Sequence, residues 1–402
     1  MRNNSTSKKI PLLIGFSIGL LGSGVGFGAI GAAALVPIWS IFILINKKFI
    51  VPYKKNIDFA LFLTLSIGLL ILGLVCSSLL SNSFEPARLI VIIFSYASIG
   101  ILFFLCLVLF SEQQLISMLK GYVFGVITLG FIGISLVILF SDFSSSLNLT
   151  RHAADRLVLW MGANTLAMQF VFGFLSLNFL LQRSLIFNRS TLLSGLSSSI
   201  LIAGVILTGS IGGFVILISV LIGLIAGKLV RGKSRVRYIL RSALFLIFIL
   251  FILFILWDTL PLQRIVAWLE IGFGSEALES GQRLSHWREG FRLVGLAPIV
   301  GHGVGAGNFL SQVGTIHNAY LLIWIEGGIV SVFGILMFFL FLSLPALKIP
   351  LKDAMILILF IFSMAMYLTI RTHGYQLYLW FPIAVVYSLL VGIKRVKVNA
   401  PT

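Results

Sequence analysis

The stretch VGTIHNAYLLIWIEGG, residues 313–328, sets His317 and Asn318 immediately before an apolar run. A histidine at the mouth of a hydrophobic helix is either an interfacial residue held by hydrogen bonds or a general base, because imidazole titrates where a hydroxyl proton has to be removed near neutrality. Asn318 orients that ring or caps the helix beginning there. Glu326 lies nine residues further along the same run. A carboxylate at membrane depth is costly, so it pairs with an arginine, lines an acceptor cavity or braces the fold. Upstream, Arg283, Trp287, Phe291 and Val294 are spaced by four, four and three residues and share one side of a helix. Pro298 and the glycines of GHGVGAG, residues 301–307, end it. On that face Arg283 is directed at whatever the helix covers.

These residues must be positioned by a membrane scaffold. The chain has 402 residues, of which 59% are hydrophobic and 10% charged, and its mean hydropathy is +1.11. Soluble domains carry roughly a quarter charged residues, so this is a polytopic membrane protein. Apolar runs of roughly 17–25 residues give about twelve spans. The organisation expected is therefore all-α: transmembrane helices 1–9 over residues 1–257, a large outer loop with short helices over 258–317, and helices 10–12 with a basic cytoplasmic tail over 318–402. The first apolar stretch, from Pro11 to about Ile45, is too long for a signal-peptide core. Cys76 and Cys106 both lie inside apolar runs and are read as packing residues.

The net charge of +17 would point to nucleic acid in a soluble protein. Here it sorts by membrane side instead. With a cytoplasmic N-terminus, NKKFIVPYKKN, RSLIFNR, KLVRGKSRVRYILR, LKIPLK and KRVK all fall inside, and both termini are cytoplasmic. Every lysine then lies at or inside the cytoplasmic boundary. The basic residues outside are all arginine: Arg88, Arg151, Arg156, Arg264, Arg283, Arg288, Arg292 and Arg371. Guanidinium presents paired donors that fit phosphate or carboxylate oxygens. The outer face is thus expected to hold an anionic ligand, against the plainer reading that each arginine reaches to lipid phosphates. The glycine run at 301–307 neither follows a strand nor opens a βαβ unit, which excludes a dinucleotide site; it is read as a tight connection needing backbone angles open to glycine.

The order Arg283, Trp287, Pro298, GHGVGAGNF and HNAYLLIWIEGGI resembles the carboxy-terminal signature of the O-antigen ligase and Wzy-type polymerase family. RLVLWMGANTLAMQF at 156–170 and the LTGSIGG turn at 207–213 resemble the family's Arg-led start of a span and its short turn. The resemblance implies a GT-C-like glycosyltransferase in the bacterial inner membrane. It moves a glycan from an undecaprenyl-diphosphate-linked donor to a sugar hydroxyl of a lipid-linked glycan or lipid A-core acceptor, at the periplasmic face. Inversion without a metal or other cofactor is implied, as is a partner that sets chain length. His317 then matches the general base and Arg283 the first diphosphate contact; Arg156, Arg88, Arg288, Asn318, Trp287 and Glu326 are the expected substrate-binding residues. One position departs from the family pattern: its turn commonly reads Ser-Arg-Gly, with an arginine taken to contact the donor diphosphate, whereas Ile211 stands here. Arg156, Arg88 or Arg371 would have to replace it.

Two further readings compete. A flippase or transporter of lipid-linked oligosaccharide would use outer arginines too, but should carry polar residues near mid-membrane in several spans. A peptidoglycan-type polymerase of the shape and division family would use an acidic residue in the large loop, where Glu270, Glu276, Glu279 and Glu289 are available. His286, His302 and His373 lack the tight spacing of a metal site.

Overall fold

The computed structural model of the chain describes residues 6–21, 57–81, 85–139, 162–187, 190–229, 283–314, 316–371 and 376–393. The spans expected at 29–46 and 242–257, the first part of the outer loop and the basic tail lie outside the described residues. All regular elements among the described residues are helical, as they must be where no water is present to satisfy backbone groups. Among the described residues, six helices are long and apolar enough to cross a membrane: Ile57–Leu80, Pro86–Leu109, Glu112–Ser135, Ala163–Gln182, Ala319–Leu347 and Leu351–Thr369. Shorter apolar helices run over Lys9–Leu20, Thr191–Leu207, Ile211–Gly227 and Leu377–Val391. The protein is an α-helical membrane protein.

The chain divides into two compact units. In the first are α1 (Thr6–Leu21), most of α4 (Glu112–Leu139), α5 (Ala163–Gln182), α6 (Thr191–Leu207), α7 (Ile211–Leu229) and the first part of α11 (Leu351–Thr369). Glycines let α1 and α4 touch backbone to backbone: a Cβ on Gly15 would lie 1.9 Å from the Met118 carbonyl oxygen. Close approach through small residues is how helices associate in lipid, where Leu gains nothing by leaving the acyl chains. Phe172 of α5 stacks on Phe360 of α11 at 5.6 Å, and Arg183 pairs with Asp353 at 3.0 Å. In the TGSIGG turn between α6 and α7, Thr208, Gly209, Ser210 and Gly213 are buried and Ile211 and Gly212 half-buried. Ser210 Oγ donates to Asn164 Oδ1 at 2.7 Å and accepts from the Gly213 N–H at 3.0 Å, which caps α7. Ile211 opens that helix.

The second unit holds α2 (Ile57–Leu80), α3 (Pro86–Phe104), α8 (Arg283–Leu296), the short α9 (Ala306–Phe309), α10 (Ala319–Ser343) and α12 (Leu377–Ile393). Helices α2 and α10 pack along a seam of small residues. Ser331 Oγ donates to the Leu70 carbonyl at 2.9 Å, and a Cβ on Gly334 would meet the Leu70 backbone nitrogen at 2.4 Å. Beyond the seam, Phe338 meets Phe103 and Trp380 edge-on at 5.4 and 5.3 Å. On their other sides Leu61, Leu65 and Leu72 of α2 and Phe333, Leu336 and Leu340 of α10 are exposed, the surface that acyl chains cover.

Helix α10 is broken at Gly328, where φ is 65° and ψ −167°. The segment from Ile299 to Gly303 takes up the backbone groups that the break exposes. His302 N–H donates to the Ile325 carbonyl (2.7 Å), Gly303 N–H to the Glu326 carbonyl (3.1 Å) and Ile329 N–H to the Ile299 carbonyl (3.1 Å). The glycines at 301, 303 and 305 have φ of 81°, 86° and 98°, so the angles expected of this run are present. What they bring the chain close to is a helix backbone.

Candidate active site

Helix α8 lies against the start of α10 through Leu293, Val294, Ile316, Leu321 and Ile325, with Trp287 and Trp324 packed on that cluster. The face turned inward differs from the one the spacing suggests. Val294 is buried, but Phe291 is 60% exposed, and His286 and Glu289 are buried in its place. The physical reason is local. The apolar target is only Ile316, Leu321 and Ile325, which Leu293 and Val294 cover, and the inward rotation lets Glu289 meet the loop. Glu289 takes a two-pronged pair from Arg292 at 2.7 Å each and the Gln312 N–H at 3.0 Å. The Arg292 hydrogen bonds hold its carboxyl down at about 2, against the opposing effect of burial.

His317 is half-buried directly before α10, and its ring lies edgewise to that of His286, with centroids 5.2 Å apart and planes at 63°. Asn318 is the N-cap: its side-chain oxygen accepts from the Leu321 N–H at 3.1 Å, the second of the two roles open to it. Arg283 opens α8, one helical turn before His286 and Trp287. Arg288 is exposed on the same helix, and Trp287 is half-buried, its buried Nε1 without a hydrogen-bond partner among the described residues.

Glu326 is brought together with Arg88, at 3.6 Å between Oε1 and Nη2. The same oxygen accepts from the Gly305 N–H at 3.0 Å, so the pair ties α3, α10 and the glycine loop together. From α2, Ser77 and Ser78 accept from the N–H groups of Gly303 and Val304 at 2.8 and 3.0 Å, and Ser81 donates to the His302 carbonyl. His302 Nε2 is engaged with the Leu293 carbonyl at 2.9 Å. Arg371 Nε donates to the Tyr367 hydroxyl at 3.2 Å. Arg156, His373, Glu270, Glu276 and Glu279 lie outside the described residues. Among the described residues no three His, Cys, Asp or Glu side chains assemble as metal ligands.

Sequence reasoning weighed His286 only as a metal ligand and missed its contact with His317. Spacings of three and four from His286 through Glu289 or Gly290 to Leu293 carry that second helical face, and it went unread because a polar residue heads it. The serines of α2 gave no signal, since hydroxyls in an apolar helix ordinarily bond their own preceding turn.

Residues 196–339 match the family model described as O-antigen ligase, which supports assigning the chain to the O-antigen ligase and Wzy-type family. The matched stretch contains most of α6, all of α7 to α9 and most of α10, and hence His317, Arg283, Trp287 and Glu326. No curated protein is significantly similar in sequence. The helices and the family match together indicate a multi-pass bacterial membrane protein with a role in O-antigen or related polysaccharide biosynthesis.

Proposed function

We propose that this protein is an inverting, metal-independent glycosyltransferase that moves a glycan from undecaprenyl diphosphate to a sugar hydroxyl at the periplasmic face of the inner membrane. His317 removes the proton of the acceptor hydroxyl. The hydroxyl oxygen bonds to the anomeric carbon, the bond from that carbon to the phosphate oxygen breaks, and its electron pair leaves with the lipid diphosphate. Arg283 stabilises the charge that develops there, because fixed guanidinium donors cost no reorganisation at the moment of reaction. Arg288 and Trp287 serve the donor and acceptor from the same helix, and Arg156 is a further candidate diphosphate contact. Asn318 acts by holding the helix start that presents His317, and Arg88 with Glu326 by holding the glycine loop. The observation that carries this reading is the placement of His317 at the capped start of α10, against the helix that Arg283 opens.

The test is glycan profiling of cells lacking the gene and complemented with wild type, His317→Ala, Arg283→Ala or Arg283→Lys. Lipopolysaccharide gels are run beside an assay for accumulated lipid-linked repeats. Loss of the base should lower transfer by roughly 10²–10⁴-fold while the protein still inserts. Arg283→Lys should fail nearly as badly as Arg283→Ala, since lysine keeps the charge and loses the paired donors. A bare acceptor core with long lipid-linked polymer identifies a ligase; single repeats on core or carrier identify a polymerase joining lipid-linked units. Normal profiles with the His317→Ala protein would refute the base and favour the flippase.

A further inference from the structure

Residues 296–300 read LAPIV, an unbroken apolar run in which every residue except Ala297 is exposed. Facing water, such a run is a liability. Its course beside α10 indicates what it faces instead. A Cβ on Gly290 of α8 would meet the Leu321 side chain at 2.9 Å; further on, His302 N–H bonds the Ile325 carbonyl and Ile329 N–H the Ile299 carbonyl. Between Gly290 and Ile299 the chain thus descends α10 from the level of Leu321 to that of Ile329, roughly 12 Å. Helix α2 gives the depth. A Cβ on Gly73 would lie 2.9 Å from the Gly327 carbonyl oxygen, and one on Gly301 would lie 2.8 Å from Ser77 Oγ. Gly73 precedes the end of α2 at Leu80 by roughly 10 Å of helix. The 24 residues of α2 make roughly 36 Å, against about 30 Å of hydrocarbon. With α2 spanning the membrane, and even with all of the excess protruding at this end, the level of Gly327 and Gly328, where Ile299 docks, is still about 4 Å inside the hydrocarbon.

Non-helical backbone is tolerated at that depth only where protein satisfies it. The carbonyls of Pro298, Ile299 and His302 accept from the Trp324 indole N–H, the Ile329 N–H and the Ser81 hydroxyl. The N–H groups of Gly301, His302 and Gly303 donate to the carbonyls of Ala297, Ile325 and Glu326. Polar backbone is therefore turned to protein while apolar side chains are turned away from it, and Ile299 is 71% exposed. Beside it begin the exposed Ile329, Val330 and Phe333, continuous with the α10 surface that acyl chains cover. We infer that LAPIV is a re-entrant element whose Leu296, Ile299 and Val300 side chains lie among the phospholipid acyl chains of the leaflet at this end of α2 and α10. The inference goes beyond the transferase reading and does not rest on it. The submerged run anchors the C-terminal end of α8 to the bilayer, which fixes the height of that helix, and of its exposed Arg288, over the membrane.

The experiment uses the full chain, with Cys76 and Cys106 replaced by serine, in nanodiscs of synthetic phosphatidylcholine and phosphatidylglycerol, which hold no isoprenoid. Single cysteines from Leu296→Cys, Ile299→Cys and Val300→Cys carry a nitroxide, so that one variant that fails to fold does not decide the outcome; Gln312→Cys, at an exposed position of the following loop, is the control. Oxygen concentrates among acyl chains and a neutral nickel chelate stays in water. Power saturation should show oxygen relaxing the labels at 296, 299 and 300 more than nickel does, with the order reversed at 312. Nickel prevailing at 299 and 300 would place the run in water and overturn the inference. Weak relaxation by both reagents there would overturn it too, because protein, either residues 258–282 or a second copy of the chain, then covers the run. The readout needs no transfer activity, so its failure leaves the roles of His317 and Arg283 standing, and an active His317→Ala protein would leave this inference standing.

Discussion

At the scale of the residue, the described acid of the large loop, Glu289, is already committed. Glu289 is the one loop acid weighed for the peptidoglycan-type mechanism that the structure describes, and both of its oxygens are occupied by Arg292, one of them also by Gln312. A carboxyl held down at about 2 is a weak base and is not protonated near neutrality, so it suits neither half of acid–base catalysis. Its depressed value instead makes it a brace for α8 against the following loop. The brace contributes its full stability at every pH above the ordinary carboxyl range near 4.5 and loses it progressively as pH falls from there through about 2. Glu289→Gln should therefore lower the thermal midpoint by the same amount at pH 5 and pH 8, with transfer otherwise intact. A difference between the variant and wild type that shrank at pH 5 would show that the carboxyl titrates there and is free to act on substrate.

At the scale of the element, the glycine loop and the break in α10 are one object. The sequence made the need for positive φ in GHGVGAG legible, because a run of glycines ending a helix has few other uses. Its partner was illegible, since Gly327 and Gly328 sit in a stretch that reads as continuous helix and the loop's other contacts come from Ser77, Ser78 and Ser81, over 200 residues away. The same limit applied to α8. Its extent followed from spacing, whereas its rotation was set by which neighbour had an apolar cluster to offer. Gly328 adopts angles essentially closed to other residues, and a Cβ there would lie 2.1 Å from the Ile299 carbonyl oxygen. Gly328→Ala should therefore expel the loop, costing at least about 1–3 kcal/mol, and should lower transfer with stability. Gly68, in α2, has nothing within 4 Å of a built Cβ, so Gly68→Ala serves as the control and should be neutral or slightly stabilising. A Gly328→Ala protein with wild-type stability and transfer would mean that the loop does not need the break.

At the scale of the whole molecule, the reading of function depends on which side of the membrane the chemistry faces, and that was read from charge alone. Helical class and the approximate limits of six long spans followed from apolar run length, because in lipid every backbone group must be satisfied within its own helix. The expected sidedness rests on the lysines, and α10 offers the sharpest place to test it. Ala319–Leu347 comprises 29 residues and is long and apolar enough to cross a membrane, so the charge pattern predicts that its two ends emerge on opposite faces. His317 and the α8 arginines lie at one end; Lys348 and Lys352 follow the other. In a background with Cys76 and Cys106 replaced by serine, single cysteines at exposed Arg288 and at Leu347, which is 83% exposed, report each face. A membrane-impermeant maleimide applied to intact spheroplasts should label Arg288→Cys at once and Leu347→Cys only after permeabilisation. The reverse pattern would put His317 in the cytoplasm, where a lipid-linked glycan already carried across the membrane is out of reach, and the transferase reading would fail whatever its residues can do.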